Sequence, residues 1–573
     1  MLRVILTSII LPIFIQAVAN GNFNFNIKNK SFIIYNIFAI FVFYSFLNII
    51  FWNYELNFLL VITFFFILSL TMYYVHEFRG TNINFSDVLS LNTAKEVAGG
   101  YKYEIKPIFI ITLILIIGEY IYQIKFFKIE LLKNYFGDIN GIGGVNIFIY
   151  RFFWHEVFQV ILFLITIFIL RDKISLEKYN YSLNAGEYEG YIYNFISSIP
   201  IFHKNKESLN ILNTKKAQNI GKILKSYKKL EEIDDAPHII VIMNESFGSV
   251  HSRISTNKKV TPYYDNLNGV IKGNLCVNTF GGGTANTEFE FLTCMTIGNY
   301  PYPVMPYNNF VKKDKYSLAR YFDKLGYETM AMHPYTATNY HRDKVYKRFG
   351  FRKLLFYEDF KDKKYVRNFV SDESMYEEVI RRYEKNLSTD KKLFLFGITM
   401  QNHSGYNTFD GETITANIEN VKNLYGVNSY LSLMNISDSA IKILIDYFKN
   451  VKEHVIILFF GDHNASFGND LNKILYENDK IYECTNAYYT PFFIYDNKTN
   501  TNEYIESISA NFLSIELLKK AKLPFDEVHN IINDIYKEYT TFNFHKAKKR
   551  ENNKLYDIKD DLYMDIEREY LND

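Results

Sequence analysis

The sequence predicts an α-helical membrane domain of about five spans followed by an α/β domain with a mostly parallel central sheet. Three observations carry this prediction. Long apolar stretches crowd into roughly the first third of the 573 residues. From 236 to 520, short apolar runs of strand length alternate with charged, amphipathic segments. Four of those runs end in Glu, His or Asp-His, at the sheet edge where α/β folds hold their ligands.

The apolar stretches cover 4–19 (VILTSIILPIFIQAVA), 32–51, 57–76, 107–125 and 152–171. A helix needs about 20 mostly apolar residues to cross the hydrocarbon layer, and the last four meet that length. The first is shorter. With Arg3 before it and Ala17-Val18-Ala19 behind it, it also fits a secretory signal with a small-residue cleavage site. Five spans on a chain that starts inside, or four on a cleaved chain that starts outside, both place the C-terminal half outside. Flanking lysines and arginines are too evenly spread to set the orientation by themselves. Glu119, His155 and Glu156 fall in or near spans, where facing another helix or the interface explains them most simply.

The membrane domain is read as residues 1–171. Residues 172–235, rich in lysine, read as a polar linker, helical at the membrane surface. The α/β domain takes 236–520, and 521–573 read as a charged tail, helical at first and solvated at its end. A formal net charge of +2, from 64 basic and 62 acidic side chains, leaves no global field for nucleic acid. Cys276, Cys294 and Cys484 show no paired-cysteine spacing, so neither a disulfide framework nor a cysteine metal site is expected.

Within the α/β domain the runs HIIVIM (238–243), TMAM (329–332), LFLFGITM (393–400), VIILFF (455–460) and PFFIY (491–495) are apolar on both faces. That pattern belongs to strands inside a parallel sheet covered by helices on both sides. The first four lead into Glu245, His333, His403 and Asp462-His463. Their convergence would form one site. Asp462, His463 and Glu245 offer hard oxygens and an imidazole nitrogen, a set that suits Mn²⁺ or Zn²⁺ better than Ca²⁺.

In NTFGGGTANTEFEFLTCM (278–295), three glycines precede Thr284 and a helical pattern follows it. Threonine is a good helix N-cap, so a cap and a nucleophile compete for this position. A hydroxyl bound to a divalent cation has a depressed pKa and can attack phosphorus, and a helix N-terminus favours the phosphate it attacks. Arg342 has the fork geometry to hold phosphate oxygens, Tyr340 could cover an adjoining glycerol, and His403 could donate to the phosphate or move a proton.

NESF, FGGGTANTEFE, HPYTATNYHRD, QNHSGY and FGDH, in that order behind the apolar stretches, resemble the lipoteichoic acid synthase family of phosphoglycerol transferases. That family lies within the alkaline phosphatase and sulfatase superfamily. The resemblance implies an extracytoplasmic, sulfatase-like domain on a multi-pass anchor in the cell membrane. It implies one divalent metal, Mn²⁺ first with Zn²⁺ or Mg²⁺ open, held by Glu245, Thr284, Asp462 and His463. Thr284 would be the nucleophile, and His333, Arg342 and His403 would hold the glycerophosphate. Tyr340 stands where the best-known members carry tryptophan. The implied donor is phosphatidylglycerol, and the implied acceptor is a hydroxyl of a glycolipid, polyglycerolphosphate or glycan.

A phosphoethanolamine transferase shares this plan and is the nearest alternative. A catalytically silent membrane scaffold of the same fold is the non-enzymatic one. Sulfatase activity itself would need a Cys or Ser in a C/S-x-P-x-R context, and no such stretch occurs.

Overall fold

In the N-terminal part of this computed structural model, helix α1 (Tyr54–Arg79) contains the third apolar stretch, and α2 (Pro107–Phe136) contains the fourth. The structure describes residues 13–22, 40, 43–44, 46–47, 54–79, 82–90, 103–136, 191–192, 194–199, 236–299, 305–309, 311–476, 487–544 and 546–557. Contacts divide the chain into two units, the larger of which includes Lys204–Asp573.

Along α1, Phe58, Leu59, Val61, Ile62, Phe65 and Phe66 are buried, while Leu56, Leu60, Phe64 and Ile67 are exposed. Residues three or four apart share a helix face, so these exposed side chains make an apolar stripe. On a helix in water that stripe would be polar. Helix α2 exposes Ile110, Leu113, Ile114, Ile117, Ile121 and Ile124 in the same way. Hydroxyls within the apolar helices are satisfied locally, with Ser69 Oγ donating to the Phe65 carbonyl at 2.7 Å and Thr112 Oγ1 to that of Ile108 at 2.8 Å.

Among the described residues one helix, Leu56–Arg79, is long and apolar enough to cross a bilayer; the apolar part of α2 is shorter, Pro107–Tyr122. Residues 13–20 of the first stretch and parts of the second are helical. The fifth stretch, with His155 and Glu156, lies outside the described residues, and so does most of the lysine-rich linker. Glu119 lies half-buried on α2.

The larger unit is built on an eight-stranded sheet. In chain order its elements are β1 (His238–Asn244), β2 (Val270–Cys276), α3 (Thr284–Thr293), β3 (Glu328–Met332), α4 (Arg342–Arg348) and β4 (Lys353–Leu355). There follow α5 (Asp372–Asn386), β5 (Leu393–Ile398), α6 (Tyr425–Phe448), β6 (Val455–Gly461), β7 (Tyr489–Asp496), β8 (Glu503–Ser509) and α7 (Ala510–Lys520). The strand order is β8-β2-β7-β6-β1-β5-β3-β4. Strands β1, β5 and β6 are buried along their whole lengths, as runs apolar on both faces require.

Both faces are covered. Phe396 of β5 stacks on Phe291 of α3, while a Cβ on the next residue, Gly397, would lie 2.5 Å from Met375 of α5. Successive strand residues point to opposite faces, so α3 and α5 lie on opposite sides of the sheet.

The sheet is mixed, which corrects the expectation for one strand. β7, the PFFIY run, pairs antiparallel with both β6 and β2, while the other pairings are parallel. An apolar run reports burial on both faces but carries no sign of chain direction.

The C-terminal segment differs from the expected solvated tail. Helix α8 (Glu527–Glu538) leads into an antiparallel sheet of β9 (Tyr539–Asn543), β10 (Lys546–Lys549) and β11 (Leu555–Asp557). Phe542, Ala547 and His529 are fully buried. The Phe544 N–H donates to Asn278 Oδ1 at 2.7 Å, and Asn278 Nδ2 donates to Glu290 Oε1 at 2.5 Å. The segment therefore braces the loop that carries the three glycines. Cys276, at the end of β2, is disulfide-bonded, against the expectation of no disulfide, whereas Cys294 is buried and free. Cys484 lies outside the described residues.

His238 opens β1, and its Nδ1 accepts the Leu393 N–H of β5 at 3.1 Å. Burial first, and Lys392 second, push its pKa down to about 4. The unfolded chain therefore binds a proton near pH 6.5 that the folded chain refuses until about pH 4. Stability from this group is present above pH 6.5 and is lost as pH falls toward 4. The expected slope is roughly 1.4 kcal/mol per pH unit, and calorimetry on H238Q should show that slope removed.

Candidate metal and nucleophile site

The register of parallel strands builds the site. Asn244 of β1 pairs with Gly461 of β6, so the next residues, Glu245 and Asp462, leave the sheet side by side. Met332 of β3 pairs with Gly397 of β5, which brings His333 to the same edge. Gly461 is required here, because a Cβ on it would lie 1.9 Å from the Phe247 carbonyl oxygen.

Ser246 turns the chain after β1 with φ +53, and its hydroxyl donates to Glu245 Oε1 at 3.0 Å. The Glu245 N–H donates to Thr399 Oγ1 at 3.0 Å. Asp462 Oδ1 accepts the N–H groups of Ser246 and His463 at 2.7 and 2.8 Å. His463 Nδ1 lies 3.0 Å from the Asn464 carbonyl, which assigns the proton to Nδ1 and leaves the Nε2 lone pair free. Nε2 lies 3.2 Å from Asp462 Oδ2 and 3.5 Å from Glu245 Oε1.

These three side chains are buried, and their ligand atoms lie within 4.8 Å of one another. Asp462 Oδ2 and His463 Nε2 take no hydrogen-bond partner. Burial first, then Asp462, raises the Glu245 pKa well above the carboxylate range. Burial also raises Asp462, with His463 opposing. Two buried carboxyls around an imidazole lone pair call for a positive ion, and the donor set fits a divalent metal.

Thr284 opens α3 but does not cap it. The cap is Gly283, with φ +85, and no side chain supplies a cap hydrogen bond. Gly281 and Gly282 also have positive φ, which only glycine adopts cheaply in succession. The Thr284 hydroxyl instead points to Glu245 Oε2 at 3.4 Å and opposes the pKa rise of both carboxyls. Thr287, one turn on, donates to the Asp462 carbonyl at 2.8 Å and fixes the helix against the metal ligands.

His333 Nδ1 lies 3.3 Å from the Ile398 carbonyl, its Nε2 has no partner, and burial followed by Arg342 lowers its pKa well below the usual histidine value. Burial first, then Arg367 and His463, push His403 down to about 3. Both imidazoles are therefore neutral near pH 7 without substrate. Burial disfavours the charge on Arg342, but Glu288, together with Tyr346 and Tyr340, more than offsets it and keeps the guanidinium protonated. Tyr340, at φ +54, places its ring 5.0 Å from the Arg342 guanidinium carbon, so in this structure it covers the arginine.

Glu245, Thr284, His333, Tyr340, Arg342, His403, Asp462 and His463 thus lie in one neighbourhood. Sequence reasoning missed Ser246, Asn464, Glu288 and Asp372. Asp372 receives hydrogen bonds from Asn244 Nδ2 at 2.7 Å and from Ser437, behind the Glu245 turn. Glu288 had a signal, since it stands four residues after Thr284 on a predicted helix.

Residues 237–521 match the Sulfatase family model. The chain is 29% identical over 313 residues to a protein of Rhizobium meliloti assigned by name to cyclic beta-1,2-glucan modification, covering 53% of this chain and 48% of that one. It is 27% identical over 274 residues to the lipoteichoic acid synthase of Staphylococcus aureus, covering 45% and 41%. The chain thus spans about half the length of the curated relatives it matches. The integral membrane lipooligosaccharide phosphoethanolamine transferase A of Neisseria meningitidis superposes with a TM-score of 0.50 over 89% of this chain and 93% of that one, at 14% identity. That likeness concerns the fold.

Mn²⁺ or Zn²⁺ at a hundred times its Kd should stabilise the protein by about 2.7 kcal/mol, and H463A should lose the effect. Because burial raises the pKa of Glu245 and of Asp462 and a cation binds their ionised forms, affinity should rise with pH. Titration calorimetry in two buffers of different ionisation enthalpy measures the protons released; zero release contradicts the assignment.

Proposed function

With residues 237–521 a sulfatase-family domain of the alkaline phosphatase superfamily, we propose that this chain is a membrane-bound phosphoglycerol transferase with its catalytic domain outside the cytoplasm. It moves glycerophosphate from phosphatidylglycerol to an acceptor hydroxyl through a covalent ester on Thr284. The observation that carries the reading is the Thr284 hydroxyl 3.4 Å from Glu245, beside Asp462 and His463 and at the start of α3.

Glu245, Asp462, His463 and the Thr284 hydroxyl would hold one divalent metal, with Mn²⁺ the first candidate. When bound, that ion supplies positive charge that lowers the pKa of the hydroxyl and offsets charge on the phosphoryl group. Thr284 Oγ1 forms a bond to phosphorus as the bond to the diacylglycerol oxygen breaks, and the threonine proton leaves with diacylglycerol. The acceptor oxygen then bonds to phosphorus, the threonine ester breaks, and the acceptor's proton returns to Thr284. Glu245 Oε2 orients the hydroxyl for attack. The positive end of the α3 dipole, at Thr284, would favour the developing charge.

Arg342 supplies the cationic contact to the phosphoryl oxygens. His333 and His403, being neutral, contribute hydrogen bonds; a proton-transfer role for His403 requires the anionic substrate to raise its pKa from about 3. The apolar α1 and α2 hold the domain at a surface rich in donor lipid. The relatives' names favour a polyglycerolphosphate, glycolipid or glycan hydroxyl as acceptor.

The test uses the full chain in vesicles of phosphatidylglycerol or phosphatidylethanolamine, with Mn²⁺ or EDTA. Diacylglycerol release from phosphatidylglycerol should need Mn²⁺ and should fall at least about a thousandfold in T284A. Wild-type release by T284A sinks the nucleophile. Reaction with phosphatidylethanolamine alone would make the protein a phosphoethanolamine transferase, and release in neither lipid would favour a silent scaffold.

A further inference from the structure

Glu288 is fully buried on α3, one turn beyond Thr284. Its carboxylate accepts Arg342 Nε at 3.1 and 3.2 Å, and also receives Arg342 Nη2. The hydroxyls of Tyr346 and Tyr307 donate to Oε2 at 2.6 and 3.2 Å. Arg342, Tyr346 and Tyr307 are each about 1% exposed. A buried carboxylate paired with an arginine and held by two phenol donors is fixed in place. It occupies one edge of the guanidinium and leaves Nη1 for a ligand oxygen.

We propose that Glu288 is a positioning residue: it ties Arg342 to the helix of the nucleophile and offsets its charge, so that the pocket favours a singly charged phosphodiester over a doubly charged phosphomonoester. This rests on the phosphotransferase reading above. Glu245, Asp462 and Glu288 together balance Arg342 and one divalent cation, so Glu288 removes one unit of positive charge from a pocket that also has Arg367 beside His403. An arginine without this partner would have both nitrogens of its fork for a phosphate, and the added positive charge would favour a dianion. Because Glu288 and Thr284 share one rigid helix, a shift of the carboxylate also moves the arginine relative to the attacking oxygen.

The experiment is titration calorimetry on the full chain in detergent with Mn²⁺ at pH 8. The ligands are glycerol phosphate, a dianion at that pH, and glycerophosphoglycerol, a monoanionic diester. Wild type should prefer the diester, and E288Q should shift the preference toward the monoester by about tenfold or more. E288D, which keeps the charge, should keep the preference while weakening both ligands. E288D should keep wild-type Mn²⁺ affinity, whereas E288Q, short one negative charge near the cation, should bind Mn²⁺ more weakly, so the comparison is made at saturating Mn²⁺. An unchanged preference in a folded E288Q, or equal loss of both ligands, overturns the proposal and makes Glu288 merely structural. If E288Q does not fold, Y346F takes its place: it must weaken diester binding at unchanged Mn²⁺ affinity, and wild-type diester affinity overturns the proposal. T284A should retain the preference while losing diacylglycerol release, so failure of the nucleophile and failure of Glu288 read out separately.

Discussion

Two carboxyls and an imidazole, buried at the ends of adjacent parallel strands, are the constraint around which this domain is arranged. Glu245 and Asp462 emerge side by side because β1 and β6 run parallel in a fixed register. A slip of one residue would turn one of them to the other face of the sheet. Without a cation, burial raises the pKa of both carboxyls, that of Glu245 well above the carboxylate range. The glycine that ends β6, the strained Ser246 turn and the Asn464 carbonyl serve to keep unpartnered ligand atoms pointed at one place. Such an arrangement has low value for stability by itself, which is typical of a site shaped for binding.

Helix α3 is set against this cluster by the loop before it. Three successive glycines at positive φ bring the first turn of α3 close enough for Thr284 to reach Glu245. The C-terminal strands hold that loop through Asn278, so a segment remote in sequence helps fix where Thr284 stands. Thr287 and Glu288 extend the coupling to Asp462 and Arg342. One helix therefore carries Thr284, a brace for Asp462 and the partner of Arg342.

Much of the site was legible in the sequence, since strand ends followed by polar residues are a local pattern. Glu245, His333, His403, Asp462 and His463 could each be read from the run before them. The competing roles of Thr284 could not be separated that way, as a threonine after glycines and before a helix satisfies both. The geometry removes the cap: Gly283 caps the helix and the Thr284 hydroxyl turns toward Glu245. Glu288 and Asp372 were missed because an acid within a helix looks like any solvated acid until its burial is known. The C-terminal strands were missed because their lysines mask the burial of Phe542 and Ala547.

The sequence by itself determined the apolar anchor, the α/β class, the neighbourhood of the ligands and a likeness to phosphoglycerol transferases, all of which rest on local periodicity and short motifs. Tertiary structure decided the direction of β7, the bonded state of Cys276, the neutral state of the two histidines and the pairing of Arg342 with Glu288. Each of those depends on what lies across space from a residue, through burial, charge and hydrogen bonding. A one-dimensional pattern records a residue's neighbours along the chain, whereas these properties are set by neighbours that only folding supplies.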